Sequence, residues 1–381
     1  MNIDYNEKIE RLANWFRGKP SPPFKIVLNP TNRCNLKCMF CPNALPRSEK
    51  KFKAEDELSY EIWLRLSKEA LNFGVREWSI IGGGEPLLRR DAIFPMINLI
   101  KNFGEVTDCE LITNGTLFRK EDIEKLVELK MDRILFSIDA PDAETHDYFR
   151  RVKGTFEKST ENLKAFSDLK KRFNTDKPYL KVNMVLNNRN YKIITKMVKF
   201  INTVGAQELA LHPMREYWEL NSQIRHLKMN KLQKNEMIKE IHIAERISDE
   251  LGVLLNTDMI DMEREEVTTL TPRNKTLQPK LEIEKKILAT NCFEPFYTIY
   301  IDPNGNVGQC SPAGSGYEDL NLKEKTIKDI WYSQKLNSIR KLTASGGSLE
   351  CCSKCGLVDV RENIRRELLK FFGEFNGPNT I

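Results

Sequence analysis

Three cysteines fall within eight residues, Cys34-Asn35-Leu36-Lys37-Cys38-Met39-Phe40-Cys41, directly after the apolar run from Phe24 to Leu28. The run reads as a buried strand, which puts the thiols on a loop at its C-terminal end. A structural zinc site wants four nitrogen or sulfur ligands in a closed tetrahedron. Neither a histidine nor a fourth cysteine follows within the next sixty residues. Three thiolates can instead hold three irons of a [4Fe-4S] cube and leave the fourth iron open. An open iron is where chemistry can begin, and the spacing favours the cluster over zinc.

The other cysteines extend this reading. Of nine, three lie at 34–41, five lie between 292 and 355, and Cys109 stands alone as a buried apolar filler. The N-terminus lacks the charged-then-apolar pattern of an export signal, and no apolar run approaches the ~20 residues that cross a bilayer. A cytoplasmic protein is expected, with cysteines used for metal rather than disulfides, and two groups of ligands imply two cofactors. Net charge is +6, and basic residues alternate with acids, as in Arg119-Lys120-Glu121-Asp122. Solvated helix faces account for that pattern, so neither nucleic acid nor membrane is expected as a partner.

At 381 residues the chain exceeds one average domain. Ile9, Leu12, Ala13 and Phe16 recur at helical spacing, and Pro20-Ser21-Pro22-Pro23 ends that N-terminal helix, which should pack on the outside of the main domain. From Phe24 onward strands and helices alternate. Strands are expected at 77–81, 110–113, 133–138, 179–186 and 208–211, with helices between them, and the alternation is expected to stop after Pro213. Six such units argue for an α/β fold, a parallel sheet curled toward a barrel with functional loops at the strands' C-terminal ends. Those ends carry Gly82-Gly83-Gly84-Glu85-Pro86, Thr113-Asn114-Gly115 and Ser137-Ile138-Asp139-Ala140. Alternation puts Ser137 and Asp139 on one strand face, and likewise Asn183 and Asn187. His146 reads as a surface or helix-capping residue.

These motifs together resemble the radical S-adenosylmethionine (radical SAM) superfamily, whose signature is C-x3-C-x-aromatic-C, with Phe40 in the aromatic slot. The resemblance implies a partial (β/α)6 TIM-like barrel and a [4Fe-4S] cluster on Cys34, Cys38 and Cys41. It implies that S-adenosylmethionine chelates the open iron and is reductively cleaved to a 5′-deoxyadenosyl radical. Phe40, Gly83, Gly84, Glu85, Asn114, Ser137, Arg150 and Asn183 are the implied cofactor-binding residues. Glu85 would take the methionine amino group, Arg150 its carboxylate, Ser137 the ribose or carboxylate, and Asn183 the ribose. The electron would come from a donor such as flavodoxin or ferredoxin.

A second constellation follows at 291–356. Phe296–Ile301 reads as a strand, Asp302-Pro303-Asn304-Gly305 as a turn, and Asn306–Cys310 as the returning strand. A tryptophan-bearing helix at Ile327–Trp331 and the knuckle Cys352-Ser353-Lys354-Cys355 complete it. Cys292, Cys310, Cys352 and Cys355 make a four-thiolate set that suits zinc or iron–sulfur equally by ligand type. After the upstream motif, the pattern resembles the auxiliary-cluster domains called SPASM and twitch. Seven cysteines serve two auxiliary clusters in a full SPASM domain. Five here fit one, with Cys351 a spare thiol or a competitor for Cys352.

The implied domains are an N-terminal helix and linker (1–23), the barrel (24–213), a helical or irregular connection (214–290), a small auxiliary-cluster domain of β-hairpin plus helix (291–360), and a C-terminal helix and tail (361–381). Four thiolates leave no open iron, so the second cluster would accept or relay an electron rather than bind substrate. The closed, twitch-like arrangement resembles dehydrogenases acting on sugar- or cyclitol-like alcohols, so the leading expectation is an oxidoreductase acting on such a polar small molecule. A peptide- or protein-modifying maturase is the alternative. Only 23 residues precede the first strand, which counts against a precursor-binding domain there. A non-enzymatic protein with two structural metal sites is the third. No residue declares itself as a catalytic acid or base.

Overall fold

The computed structural model describes residues 5–41, 43, 53–214, 224–260, 282–310, 316–350, 352, 355 and 358–374. After helix α1 (Tyr5–Phe16), six strands run parallel in chain order: β1 (Lys25–Leu28), β2 (Glu77–Ile80), β3 (Asp108–Thr113), β4 (Arg133–Ser137), β5 (Tyr179–Leu186) and β6 (Glu208–Pro213). The helices between them are α2 (Tyr60–Asn72), α3 (Arg90–Lys101), α4 (Lys120–Glu128), α5 (Ala143–Arg150), α6 (Thr155–Arg172) and α7 (Ile194–Val204). The period of two is plain in β5, where Leu180, Val182, Met184 and Leu186 are buried and the residues between them only partly so. The buried row joins Phe166, Met197, Val198 and Ile201 of the helices in one apolar core. Each such side chain contributes about 1.5–3 kcal/mol when fully removed from water.

The opposite face is charged toward the strands' N-terminal ends. Lys25 and Glu77 pair at 2.5 Å, Arg133 and Glu110 at 3.1 Å, and Lys181 and Glu208 at 2.7 Å. Burial works against the Glu77 carboxylate, but Lys25 and Lys8 hold its pKa down to about 2. The barrel floor is thus a lattice of alternating charge that no period of two reveals.

The alternation does not stop at Pro213. Helix α8 (Lys231–Leu251) and strand β7 (Leu254–Asn256) add a seventh unit, parallel to β6. The strand escapes a sequence reading because it is three residues long and leaves Leu254 exposed. Helix α8 is capped by Asn230, whose side chain accepts the Gln233 N–H, and it buries only Met237, Ile241, Ala244 and Ser248.

The remaining elements are α9 (Glu282–Ala289), α10 (Glu294–Tyr297), β8 (Thr298–Ile301), β9 (Asn306–Gly308), β10 (Tyr317–Asn321), α11 (Ile327–Trp331), α12 (Gln334–Ala344) and α13 (Val358–Glu374). The expected strand at 296 begins two residues later, because Pro295 in the first turn starts α10 instead. Strand β8 pairs in parallel with β1, Lys25 facing Thr298 and Leu28 facing Ile301. One ten-stranded sheet results, ordered β10-β9-β8-β1-β2-β3-β4-β5-β6-β7. The C-terminal hairpin therefore extends the barrel sheet.

Helix α1 does more than cover the outside. Ile9, Leu12 and Ala13 meet Ile364, Leu368 and Phe372 of α13, together with Phe293 and Phe296, in a second core. Arg340 of α12 lies between the rings of Trp15 and Trp331, 4.5 and 4.1 Å from their centroids, and donates to the Pro295 and Trp331 carbonyls. The Trp331 indole donates to Ser21 O at 2.8 Å. Chain start and chain end are tied together here. Among the described residues no helix is long and apolar enough to cross a membrane.

Candidate active site

The cysteine loop is held by backbone on both flanks. Gly84 N–H donates to Thr31 O at 2.9 Å and Glu85 N–H to Arg33 O at 2.8 Å; on the other side Met39 N–H donates to Phe149 O at 2.9 Å. Glu57 grips Arg33 with both oxygens at 2.9 Å and also pairs with Arg89 at 3.1 Å. A Cβ on Gly83 would lie 2.1 Å from Asn32 Oδ1, and one on Gly84 would lie 1.9 Å from Arg33 O. The glycines are required because loop meets loop, before any ligand is considered.

Cys34 is the outermost thiol and accepts from Leu36 N–H at 3.4 Å. The protein around its sulfur pushes the thiol up to about 11, with Glu85, Cys38 and Cys41 adding to the effect. Cys38 is buried, with Arg150 Nη1 3.5 Å from its Sγ. Arg150 Nη2 pairs with Asp139 at 2.7 Å and donates to Ser137 O at 2.9 Å, and its guanidinium lies 5.7 Å from the Phe40 ring centroid. Both terminal nitrogens are thus committed within the protein, and the open fork that a bidentate carboxylate grip needs is not presented. Arg150 Nε is buried without a hydrogen-bond partner.

Glu85, Asn114, Ser137 and Asn183 all come to the C-terminal ends of the strands. Glu85 turns inward: its oxygens accept from Thr113 Oγ1 at 2.7 Å, Leu87 N–H at 3.1 Å and Asn114 N–H at 2.8 Å. A carboxylate has about four acceptor sites, so one is left. Burial raises its pKa against these hydrogen bonds. Asn114 donates to Asn35 Oδ1 at 2.9 Å, on the cysteine loop. Ser137 and Asn183 are register partners on β4 and β5, both half-buried.

Two strand-face expectations fail for one reason, the second residue of each pair lies beyond the end of its strand. Strand β4 ends at Ser137, so Asp139 is free to swing away, accept from Val185 N–H at 2.9 Å and pair with Arg150. Strand β5 ends at Leu186, and Asn187 caps it, accepting from Arg189 N–H at 2.9 Å, instead of sharing a face with Asn183. His146 is buried, not at the surface; its Nδ1 accepts the Asp139 N–H at 3.2 Å, and burial with Arg150 nearby pushes its pKa down to about 3. A residue passed over in the sequence joins the mouth: His212 of β6, whose Nε2 lies 3.3 Å from Asn183 Oδ1. Its signal was available, since Glu208, Ala210 and His212 alternate along one strand face.

The second set lies at the other end of β1 and β8. Cys292 precedes α10, and β9 runs antiparallel to β8 with Gly308 facing Tyr300, which carries Cys310 back toward Thr298. Cys355 N–H donates to Cys352 O at 3.2 Å, closing the knuckle; Cys351 lies outside the described residues. Burial pushes the Cys292 thiol up to about 12, Glu294 and Cys355 add to this, and Arg361 opposes it. Arg361 donates to Asn291 O at 2.9 Å, and its Nε is buried without a partner.

Among the described residues no three His, Cys, Asp or Glu side chains close on one point as a single ion requires. Thiols that ligate separate irons need not do so. Two all-thiol sets, each with a buried unpartnered arginine N–H beside it, fit iron–sulfur clusters.

Residues 28–201 match the family model of the radical SAM superfamily, and residues 292–356 match that of an iron–sulfur cluster-binding domain, SPASM. The chain belongs to the radical SAM superfamily. Its cofactors are [4Fe-4S] clusters and S-adenosylmethionine. The AdoMet-dependent heme synthase of Methanosarcina barkeri is 33% identical over 184 residues, 48% of this chain and 48% of that protein. The match thus spans about half of that relative's length. The PqqA peptide cyclase of Granulibacter bethesdensis is 24% identical over 344 residues, covering 89% of this chain and 81% of that one. Streptococcus suis SuiB, solved with its precursor peptide SuiA, shares the fold with a TM-score of 0.63 at 18% identity, over 94% of this chain and 76% of SuiB. This radical SAM chain is thus a partial barrel with an iron–sulfur domain built onto its first strand.

Proposed function

We propose that this radical SAM enzyme modifies a peptide or protein. The observation that carries the reading is the similarity to PqqA peptide cyclase along 89% of this chain, whereas the heme synthase match spans 48%. Of the two substrate classes expected from the sequence, this favours the peptide over the sugar- or cyclitol-like alcohol. The alcohol is retained as the second reading because the four-thiolate set of Cys292, Cys310, Cys352 and Cys355 suits an electron acceptor for simple oxidation.

In this reading Cys34, Cys38 and Cys41 hold the SAM-binding cluster, and Cys292, Cys310, Cys352 and Cys355 hold the auxiliary one. When bound, these groups supply a hydrogen-abstracting carbon radical at the first site and a one-electron acceptor at the second. Gly83 and Gly84 offer backbone to the methionine end of the cofactor, and Glu85 its remaining acceptor site. Asn114 orients the loop through Asn35. Ser137, Asn183 and His212 form a polar row across β4, β5 and β6 that contacts cofactor or substrate. Arg150 steadies the Cys38 thiolate rather than forking a carboxylate, and Phe40 covers that guanidinium. A one-electron donor such as flavodoxin or ferredoxin is the proposed partner. A reducing, cytoplasmic setting accords with cysteines used for metal rather than for disulfides.

The test uses anaerobically reconstituted enzyme with reductant and S-adenosylmethionine. A randomised peptide library built from deuterated amino acids is compared with deuterated sugars and cyclitols, and label is read in 5′-deoxyadenosine. Label from peptides alone is expected. Label from an alcohol alone would overturn the reading.

A further inference from the structure

Each cysteine set has one arginine whose Nε is buried without a hydrogen-bond partner, Arg150 beside Cys38 and Arg361 beside Cys292. Their carboxylate partners differ. Asp139, fully buried, neutralises Arg150 at 2.7 Å, and Glu85 is a second buried carboxylate within electrostatic reach of Cys34. Arg361 pairs with no carboxylate among the described residues; its Nη1 donates to the neutral Asn291 carbonyl at 2.9 Å. Glu294 is the acidic group in reach of Cys292, and it is engaged by the Tyr297 hydroxyl and by the fields of Lys8 and Lys25. Helix α13, 17 residues long, begins three residues after Cys355, so its positive end adds charge of the same sign.

The potential of an iron–sulfur cluster is set by the charge around it and by hydrogen bonds to its sulfurs. Positive charge and N–H donors favour the reduced, more negative state, and they act strongly at low dielectric. Resting on the reading of Cys292, Cys310, Cys352 and Cys355 as cluster ligands, we infer that Arg361 raises the auxiliary cluster's reduction potential. Its charge, paired with no carboxylate among the described residues, and its unpartnered Nε–H stabilise the added electron. Arg361 is a tuning residue that needs no contact with substrate.

The experiment is an EPR-monitored redox titration of the auxiliary cluster in the Cys34/Cys38/Cys41→Ala background, with Arg361 intact and as Arg361→Gln and Arg361→Lys. About four irons per chain should remain; their absence with Arg361 intact would sink the reading of the ligands. With the cluster in place, Arg361→Gln should lower the midpoint potential at unchanged iron content, and Arg361→Lys, which keeps the charge and loses the Nε donor, should fall between. An Arg361→Gln cluster that titrates with the parent would overturn the inference while leaving the ligand reading intact. If Arg361→Gln loads no cluster, Arg361→Lys decides: a lower potential supports the inference, and one equal to the parent overturns it.

Discussion

The two cysteine regions stand at opposite ends of the same strand pair, β1 and β8, and they are assembled by different means. The first is one loop of eight residues, clamped by the backbones of residues 84–85 and 149–150 and served by an arginine whose charge Asp139 cancels. The second draws its thiols from positions 292 to 355 and is served by an arginine with no carboxylate partner among the described residues. A local site can be rigid because its neighbours are barrel strands. A dispersed site needs the second core of α1 and α13 to bring its pieces together.

The largest effect should separate the regions outright. Cys38→Ala is expected to abolish 5′-deoxyadenosine formation, whereas Cys352→Ala should leave uncoupled cleavage largely intact and abolish substrate turnover. Equal loss of 5′-deoxyadenosine in both would erase the distinction and leave the second site a folding element.

Next in size is Gly84→Ala. Its Cβ would sit 1.9 Å from a backbone oxygen that cannot rotate away, so the cysteine loop must move. Iron after reconstitution should drop from about eight to about four per chain. Full iron content would show that the loop tolerates displacement.

Asp139→Asn leaves the buried Arg150 uncompensated, and breaking such a pair costs about 3–5 kcal/mol. A denaturant midpoint lowered to match is expected, with the auxiliary cluster's spectrum unchanged. A shift in that spectrum would mean the two regions are coupled through the sheet.

The smallest effect concerns the charged floor between them. Glu77 has a folded pKa of about 2 against an unfolded value of about 4.3, so its contribution is present above pH ~4.3 and lost as pH falls through 2. Glu77→Gln should cost about 3 kcal/mol at pH 7, and the gap from the parent should close on acidification toward pH 2. A gap independent of pH would assign the loss to packing instead of charge.

Much of this was legible beforehand because it is local. Six parallel strands, the cysteine loop, the Gly83-Gly84-Glu85 turn and the four later thiols all follow from spacing. What escaped depends on where strands stop and what lies across the sheet. Asp139 and Asn187 left their expected faces because β4 and β5 end at residues 137 and 186. Strand β7 is too short to carry a pattern, and β10 reads Tyr-Glu-Asp-Leu-Asn, with a single buried residue. Glu85 gave no hint that Thr113 and Asn114, nearly thirty residues on, would take up its oxygens.

The sequence by itself displayed the two thiol sets and the cofactor class they suit, because thiol number and spacing limit which metal group a short loop can hold. Only the tertiary structure decided which charges surround those thiols. Arg150 meets Asp139 and Arg361 meets a neutral carbonyl because of partners 11 and 70 residues away, which the pairing of strands and helices, not their own periodicity, brought into reach.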